Sequence, residues 1–186
     1  MKQIEFFKIN WAHRFCHGGI LRNKRAGRKF RPLSKKDPHH LVLKSNFKTL
    51  RNPVTHTLIL KLTRKYAKRF FIRIEQISIQ HDHVHLLFRA SKRSMIQSFL
   101  RVLSGQIAQT VTHTYKKAKS GPRFWRYRPF TRVIKGWKPY LRVKEYIQLN
   151  EKEARGEIKY RKNRLKGMTL EGWCAGAKSE SKSLKI

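Results

Sequence analysis

The stretch Gln80-His81-Asp82-His83-Val84-His85-Leu86-Leu87-Phe88 sets the reading of the whole chain. Its alternation is that of a short strand with one covered face. Val84, Leu86 and Phe88 point one way; His83, His85 and Leu87 point the other. Side chains two apart on a strand are parallel and roughly 6.6 Å apart. Two imidazoles so placed can close on one divalent cation. A solvent-facing strand that merely carries two histidines fits the same pattern, and the neighbouring sequence has to decide.

Working outward, Phe71 to Ile79 reads as the preceding strand, with an alternation slip at Glu75-Gln76 that predicts a bulge. The short link Gln80-His81-Asp82 makes the two strands an antiparallel hairpin. Upstream, Leu41-Val42-Leu43 marks a first strand over 40–45. Asn52-Pro53 opens a helix, with Val54, Leu58, Leu62, Tyr66 and Phe70 as its apolar stripe. Downstream, a long helix starts near Ser94, with Met95, Phe99, Val102, Leu103, Ile107 and Val111 facing the core, and Ser120-Gly121-Pro122 breaks it. Thr131 to Ile134 predicts a fourth strand. A last helix runs from Pro139 to Ala154, with Gly156 as its stop.

The order strand, helix, strand, strand, helix, strand, helix predicts an α+β domain. It is a ferredoxin-like central antiparallel sheet with helices mainly on one face. The histidines then lie on the face left open. Residues 1–37 form a basic arm, 38–158 the domain and 159–186 a basic tail.

Lys and Arg number 45 against 10 Asp and Glu, a formal charge of +35 over 186 residues. That charge favours a polyanionic partner, and nucleic acid is the obvious one. No long basic amphipathic anchor and no run of about 18 apolar residues points to a membrane. Cys16 and Cys174 lie far apart, so a disulfide framework is not expected and a reducing cytoplasm fits. Polar and basic residues interrupt the first dozen positions, unlike a signal peptide.

Two segments carry the nucleic-acid reading. In the arm, Arg22, Lys24, Arg25, Arg28, Lys29 and Arg31 are suited to phosphates. Further on, Arg123, Trp125, Arg126, Arg128 and Arg132 alternate with Phe124, Tyr127 and Phe130; cations there can follow the backbone while rings stack unpaired bases. The plain readings are a solvated tail and aromatics that close the core.

Tyr146 and Asn150 are one helical turn apart, at the edge of a buried face made by Tyr140, Val143, Ile147 and Ala154. His83, His85 and Asn150 supply three neutral ligands suited to Mg2+ or Mn2+, with positions left for phosphate oxygens and water. Tyr146 is then the candidate nucleophile. Taken singly, Tyr146 reads as a half-buried helix aromatic and Asn150 as a polar residue near a helix end. The histidine strand changes that weighing.

His83-Val84-His85 within Asp82-His83-Val84-His85-Leu86-Leu87 resembles the HUH motif of single-tyrosine transposases. Tyr146-Ile147 followed by Asn150 resembles that family's nucleophile helix, with the amide as third metal ligand. The run Phe124-Trp125 through Phe130 also sits where the family has a similar one. The resemblance covers roughly residues 38–156. Insertion-sequence members commonly carry Gln at the amide position and the REP-associated tyrosine transposases commonly Asn, so Asn150 points to the latter; the long basic arm departs from the compact insertion-sequence enzymes. The resemblance implies an HUH fold and cleavage and rejoining of single-stranded DNA next to a hairpin through a 5′-phosphotyrosine. It implies a monomer or homodimer acting on the nucleoid in the cytoplasm. Two other readings stand beside it: a non-catalytic basic DNA- or RNA-binding module, and a rolling-circle replication initiator, which usually has larger accessory domains.

Overall fold

The computed structural model describes residues 14–19, 30–114 and 123–159. Within them run β1 (Cys16–His17), β2 (His39–Lys44), α1 (Pro53–Arg69), β3 (Ile72–Ile79), β4 (His83–Ala90), α2 (Arg93–Thr114), β5 (Phe130–Val133) and α3 (Trp137–Ala154). The strands form one sheet in the order β1-β5-β2-β4-β3, with every pairing antiparallel. This is the expected α+β, ferredoxin-like arrangement with one further edge strand. The slip expected at Glu75-Gln76 is a register shift between Ile74 and Gln76 in the β3–β4 pairing. Gly156 follows α3 with φ +78, as a helix stop requires.

Two helices cover one face. Leu41 and Leu43 of β2 and Val84, Leu86 and Phe88 of β4 are buried in one cluster with Ile59 and Tyr66 of α1 and Phe99, Leu103 and Ile107 of α2. Each such side chain contributes about 1.5–3 kcal/mol relative to exposure. The stripe of α1 differs from the one expected. Its buried residues are Thr55, Ile59, Thr63, Tyr66 and Ala67, while Val54 is 59% exposed. The Thr63 hydroxyl donates to the Ile59 carbonyl at 2.7 Å; a hydroxyl satisfied within its own helix can face a core.

The face expected to be open is partly covered. Leu87 shares its row with His83 and His85, and it is buried with Ile134, Val143 and Ile147 under α3, with Tyr140 and Tyr146 packed alongside. An apolar side chain on that face needed a cover, and the last helix supplies it.

Within the stretch assigned to the basic arm, Cys16 and His17 pair with Arg132 and Thr131 of β5. The chain approaches closely just after them. A Cβ on Gly18 (φ +85) would collide with the Pro129 carbonyl, and Gly19 N–H donates to the Arg128 carbonyl at 3.0 Å. The rest of the arm up to residue 29, apart from 14–19, and the tail from residue 160 lie outside the described residues.

Strand parity sends the adjacent His39 and His40 to opposite faces. His39 goes to the core, parallel to Phe88 with ring centroids 5.3 Å apart, and its Nε2 accepts the Ser34 N–H at 3.0 Å. Burial, opposed weakly by Asp37, lowers its pKa to about 4. The unfolded chain, with a histidine near 6.5, therefore takes up the proton first, and the contribution of His39 to stability is complete above about pH 6.5 and drains away toward pH 4. We expect His39 alone to account for a loss of roughly 3 kcal/mol of unfolding free energy across that range. In urea titrations, His39→Gln, which keeps an acceptor for Ser34, should start less stable at neutral pH and show a shallower acid dependence. An unchanged slope would remove His39 from the account.

Candidate active site

The two strand histidines are each held through Nδ1. His83 Nδ1–H donates to Asp82 Oδ1. That bond, working against burial and helped by the charges of His83 and Lys44, lowers the Asp82 pKa to about 2. Lys44 Nζ lies 3.7 Å from the second Asp82 oxygen. His85 is buried, and its Nδ1 lies 3.1 Å from His40 Nε2 on the neighbouring strand. Burial first, then the proximity of His83 and His40, holds His85 well below the ordinary histidine range. Burial, with Arg132 and His83 nearby, takes His40 down to about 3. Both rings are thus neutral at physiological pH. The rings of His83 and His85 meet edge to face at 4.8 Å, and His85 Nε2 is buried without a hydrogen-bond partner.

Opposite them runs α3. The Tyr146 ring meets the His85 ring edge-on, at 5.4 Å and 84°. One turn on, the Asn150 backbone carbonyl accepts Gln80 Nε2–H at 2.7 Å, and the same amide nitrogen donates to Ser78 Oγ at 2.9 Å. Asn150 Nδ2 is buried with no hydrogen-bond partner; a flip of the amide puts Oδ1 there instead. The helix is fixed beyond Asn150 by Glu151. Arg51 Nη1 donates to Glu151 Oε1 at 3.0 Å and to the Ile79 carbonyl at 2.8 Å, and Ile79 N–H donates to Glu151 Oε2 at 3.3 Å. Burial disfavours the Glu151 carboxylate, but hydrogen bonds from Arg51 and Arg155 outweigh it and its pKa falls.

His85 Nε2 and the Asn150 amide are both buried without a hydrogen-bond partner, and an imidazole nitrogen and an amide oxygen are both acceptable to a divalent ion. His83, His85 and Asn150 could hold a divalent ion through nitrogen and amide oxygen. Among the described residues no three His, Cys, Asp or Glu form a metal cluster, so any ligand set here depends on the amide.

The residues expected to bind nucleic acid separate into groups. Arg22, Lys24, Arg25, Arg28 and Lys29 lie outside the described residues. Arg31 is turned inward, donating to the Pro129 carbonyl at 3.0 Å and to Thr131 Oγ1 at 2.7 Å. Burial, with Arg128 nearby, lowers its pKa to about 10. Trp125 packs against the main core beside Phe124, and its indole N–H donates to the Ser104 carbonyl at 2.8 Å. Arg123, Arg126 and Arg128 are exposed, Arg126 lying over the Tyr127 ring at 5.4 Å. Arg132 pairs in register with His40 and so shares the histidine face. Sequence reasoning gave no role to His40, Gln80, Arg51 or Glu151. For His40 the only available signal was its parity in β2, which puts it on the side of β4 that carries the histidines.

A profile of the family described as "Transposase IS200 like" matches residues 38–150. Among solved structures, a REP-associated tyrosine transposase bound to a REP hairpin is similar over 72% of this chain and 77% of its own, with 16% identity and a TM-score of 0.54. A candidate transposase from Deinococcus radiodurans R1 is matched over 67% of this chain and 98% of that one, with 19% identity and a TM-score of 0.45. Likeness at such identity speaks for the fold alone. No curated protein matches the chain.

The Arg51–Glu151 pair generates a test of how α3 is held. Both side chains are mostly buried, at 16% and 17% exposure, and charge-assisted bonds of this kind are worth about 1.5–3 kcal/mol. Arg51→Ala and Glu151→Ala should each cost about 2 kcal/mol in chemical denaturation, and the double variant less than their sum. Additive losses would mean that the two residues stabilise the fold separately and do not act as one tie.

Proposed function

The chain belongs to the IS200-like transposase family, and on that premise we propose that it is a metal-dependent strand transferase acting on single-stranded DNA. In this reading it cleaves and rejoins DNA beside a hairpin through a 5′-phosphotyrosine. The observation that carries it is the approach of Tyr146 to His85 across the sheet face, next to a buried imidazole nitrogen that has no partner.

Tyr146 is the nucleophile. Its phenolic oxygen gives up its proton and forms the bond to phosphorus, the bond from phosphorus to the 3′ oxygen breaks, and the departing 3′ oxygen takes up a proton to become a hydroxyl, so no net proton is gained or lost. Rejoining reverses these roles: a 3′-hydroxyl attacks and the phenol leaves, so the energy of the phosphodiester is conserved. His83, His85 and Asn150 would hold the ion. When bound, Mg2+ or Mn2+ supplies positive charge that offsets charge developing on the phosphoryl oxygens. Asp82 orients His83, and Lys44 and Arg132 place fixed cations on the face that the phosphate must approach. Arg123, Arg126 and Arg128, with the arm cations Arg22, Lys24, Arg25, Arg28 and Lys29, extend backbone contacts away from the site.

The catalytic unit spans 38–158, between a basic arm (1–37) and a basic tail (159–186). Tyr146 works in the subunit that carries it, a reading supported by the docking of α3 on its own sheet through Glu151 and Arg51. A monomer suffices for this, although a homodimer is compatible with it. The REP-associated branch is the proposed one, supported by the amide at position 150 and by the shared fold; its substrate is then a short palindromic hairpin on the nucleoid, in the cytoplasm.

With a hairpin-bearing single-stranded oligonucleotide and Mn2+, the wild-type chain should yield a denaturant-resistant protein–DNA adduct. Tyr146→Phe should give none while still retarding the hairpin in a gel, and His83→Ala should lose metal-dependent cleavage. An adduct that persists in Tyr146→Phe assigns the nucleophile elsewhere. Hairpin binding with no cut strand under any metal leaves a nucleic-acid-binding module.

A further inference from the structure

Asp82 and His40 do the same job for two different histidines, and the second partner is unusual. A carboxylate can only accept, so it fixes His83 with its proton on Nδ1. His40 is an imidazole, with one nitrogen that donates and one that accepts in the neutral ring. It stands on β2 opposite Leu87, while Val42 stands opposite His85. His40 and His85 are therefore diagonal neighbours on one face, a separation that aromatic rings bridge. Their planes lie within 11° of each other, with centroids 5.2 Å apart. The nitrogens are 3.1 Å apart, and the two residues are 1% and 4% exposed. Water has little access to the pair.

Only one proton can lie between the two nitrogens. If His40 donates it, His85 keeps its own proton on Nε2; if His85 donates it, His40 keeps its own on Nδ1, so each arrangement leaves one outer N–H in a buried position. Only the second arrangement leaves His85 Nε2 a lone pair facing the site, which is what a cation there requires. We infer that His40 is a positioning residue: with a divalent cation at the site, its Nε2 accepts the Nδ1–H of His85 and holds the ring in the tautomer whose Nε2 lone pair is offered to the ion. The inference rests on the reading of His83, His85 and Asn150 as the ion's ligands. It also gives a reason for a histidine at this position: a neutral acceptor fixes the ring without adding negative charge where a phosphate must come. Second partners of this kind typically change metal affinity by about 10–100-fold.

The test measures Mn2+ binding to the full chain without DNA, by the loss of the free-ion electron paramagnetic resonance signal. His40→Phe keeps a flat ring and removes the acceptor; it should bind Mn2+ about 10–100-fold more weakly. His40→Gln restores an acceptor and should recover most of the affinity. Equal losses in both variants would assign the effect to packing, and wild-type affinity in His40→Phe would overturn the inference outright. Nitrogen-15 spectra of the wild-type chain with Mg2+ give a second readout that needs no variant. They should show His85 protonated on Nδ1, and a proton on Nε2 would overturn it as well. His83→Ala and Asn150→Ala separate the two levels. If they abolish Mn2+ binding while His40→Phe does not weaken it, only the role of His40 falls. If they leave binding unchanged, the ligand assignment itself falls, and the role of His40 with it.

Discussion

Glu151 is the point on which the histidine face depends. Apolar contact between α3 and the sheet, through Leu87, Ile134, Val143 and Ile147, supplies most of the attraction, but such contact has no direction. A helix turned by one residue rotates each side chain by about 100°, which would carry Tyr146 off His85 while still leaving some apolar surface covered. The polar ties remove that freedom. Glu151 takes Arg51 on one oxygen and the Ile79 N–H on the other, and Gln80 holds the carbonyl of Asn150. All three partners lie at the edge of the β3–β4 hairpin or at the entrance to α1. The helix that carries the phenol is thus registered against the hairpin that carries the imidazoles, and by the residues that bound that hairpin.

The electrostatics of the face follow from the same placement. A chain with a formal charge of +35 could have put arginines at its centre. The centre instead holds the neutral rings of His40 and His85, with Lys44 and Arg132 around them. Fixed cations there attract a phosphate backbone over a Debye length of about 8–10 Å. Burial first, and Arg132 after it, lower the basicity of His40. Asp82 is the carboxylate beside the histidines, and its charge is partly offset by its hydrogen bond to His83 and by the nearby Lys44.

Much of this was legible in the sequence, because the pattern and the physics agreed. The alternation of β4, the short link before it and the four-residue spacing of Tyr146 and Asn150 give the hairpin and the helix edge directly. The slip at Glu75-Gln76 gives the register shift. Other features were hidden by chemistry that residue type does not reveal. In α1 the buried stripe includes Thr55 and Thr63, and a hydroxyl bonded to its own helix counts as apolar only once the helix exists. Arg31 has the composition of a phosphate contact, yet its guanidinium is engaged by backbone and hydroxyl acceptors of the Pro129–Thr131 segment. β1 is two residues long, and its partner lies more than a hundred positions away; no local periodicity can announce such a pairing. Leu87 was the neglected signal for α3: an apolar residue in the row of the histidines meant that the row was not wholly open.

His39 and His40 show why a buried histidine cannot be interpreted from burial alone. Both are almost fully enclosed, and burial lowers the pKa of both. The desolvation that keeps each ring neutral is the same in kind. What differs is the partner that parity provides. His39, facing the core, stacks on Phe88 and accepts a backbone N–H from the segment that leads into β2, so its neutrality serves the fold. His40, one residue later, meets a second imidazole whose far nitrogen has no partner, so its neutrality bears on the state of another ring. The same penalty gives the core face a ring whose neutrality falters in acid and gives the other face two facing imidazoles that stay neutral. A strand that shifted by one residue would exchange these two roles, which is why the register of β2 between β4 and β5 constrains both stability and site.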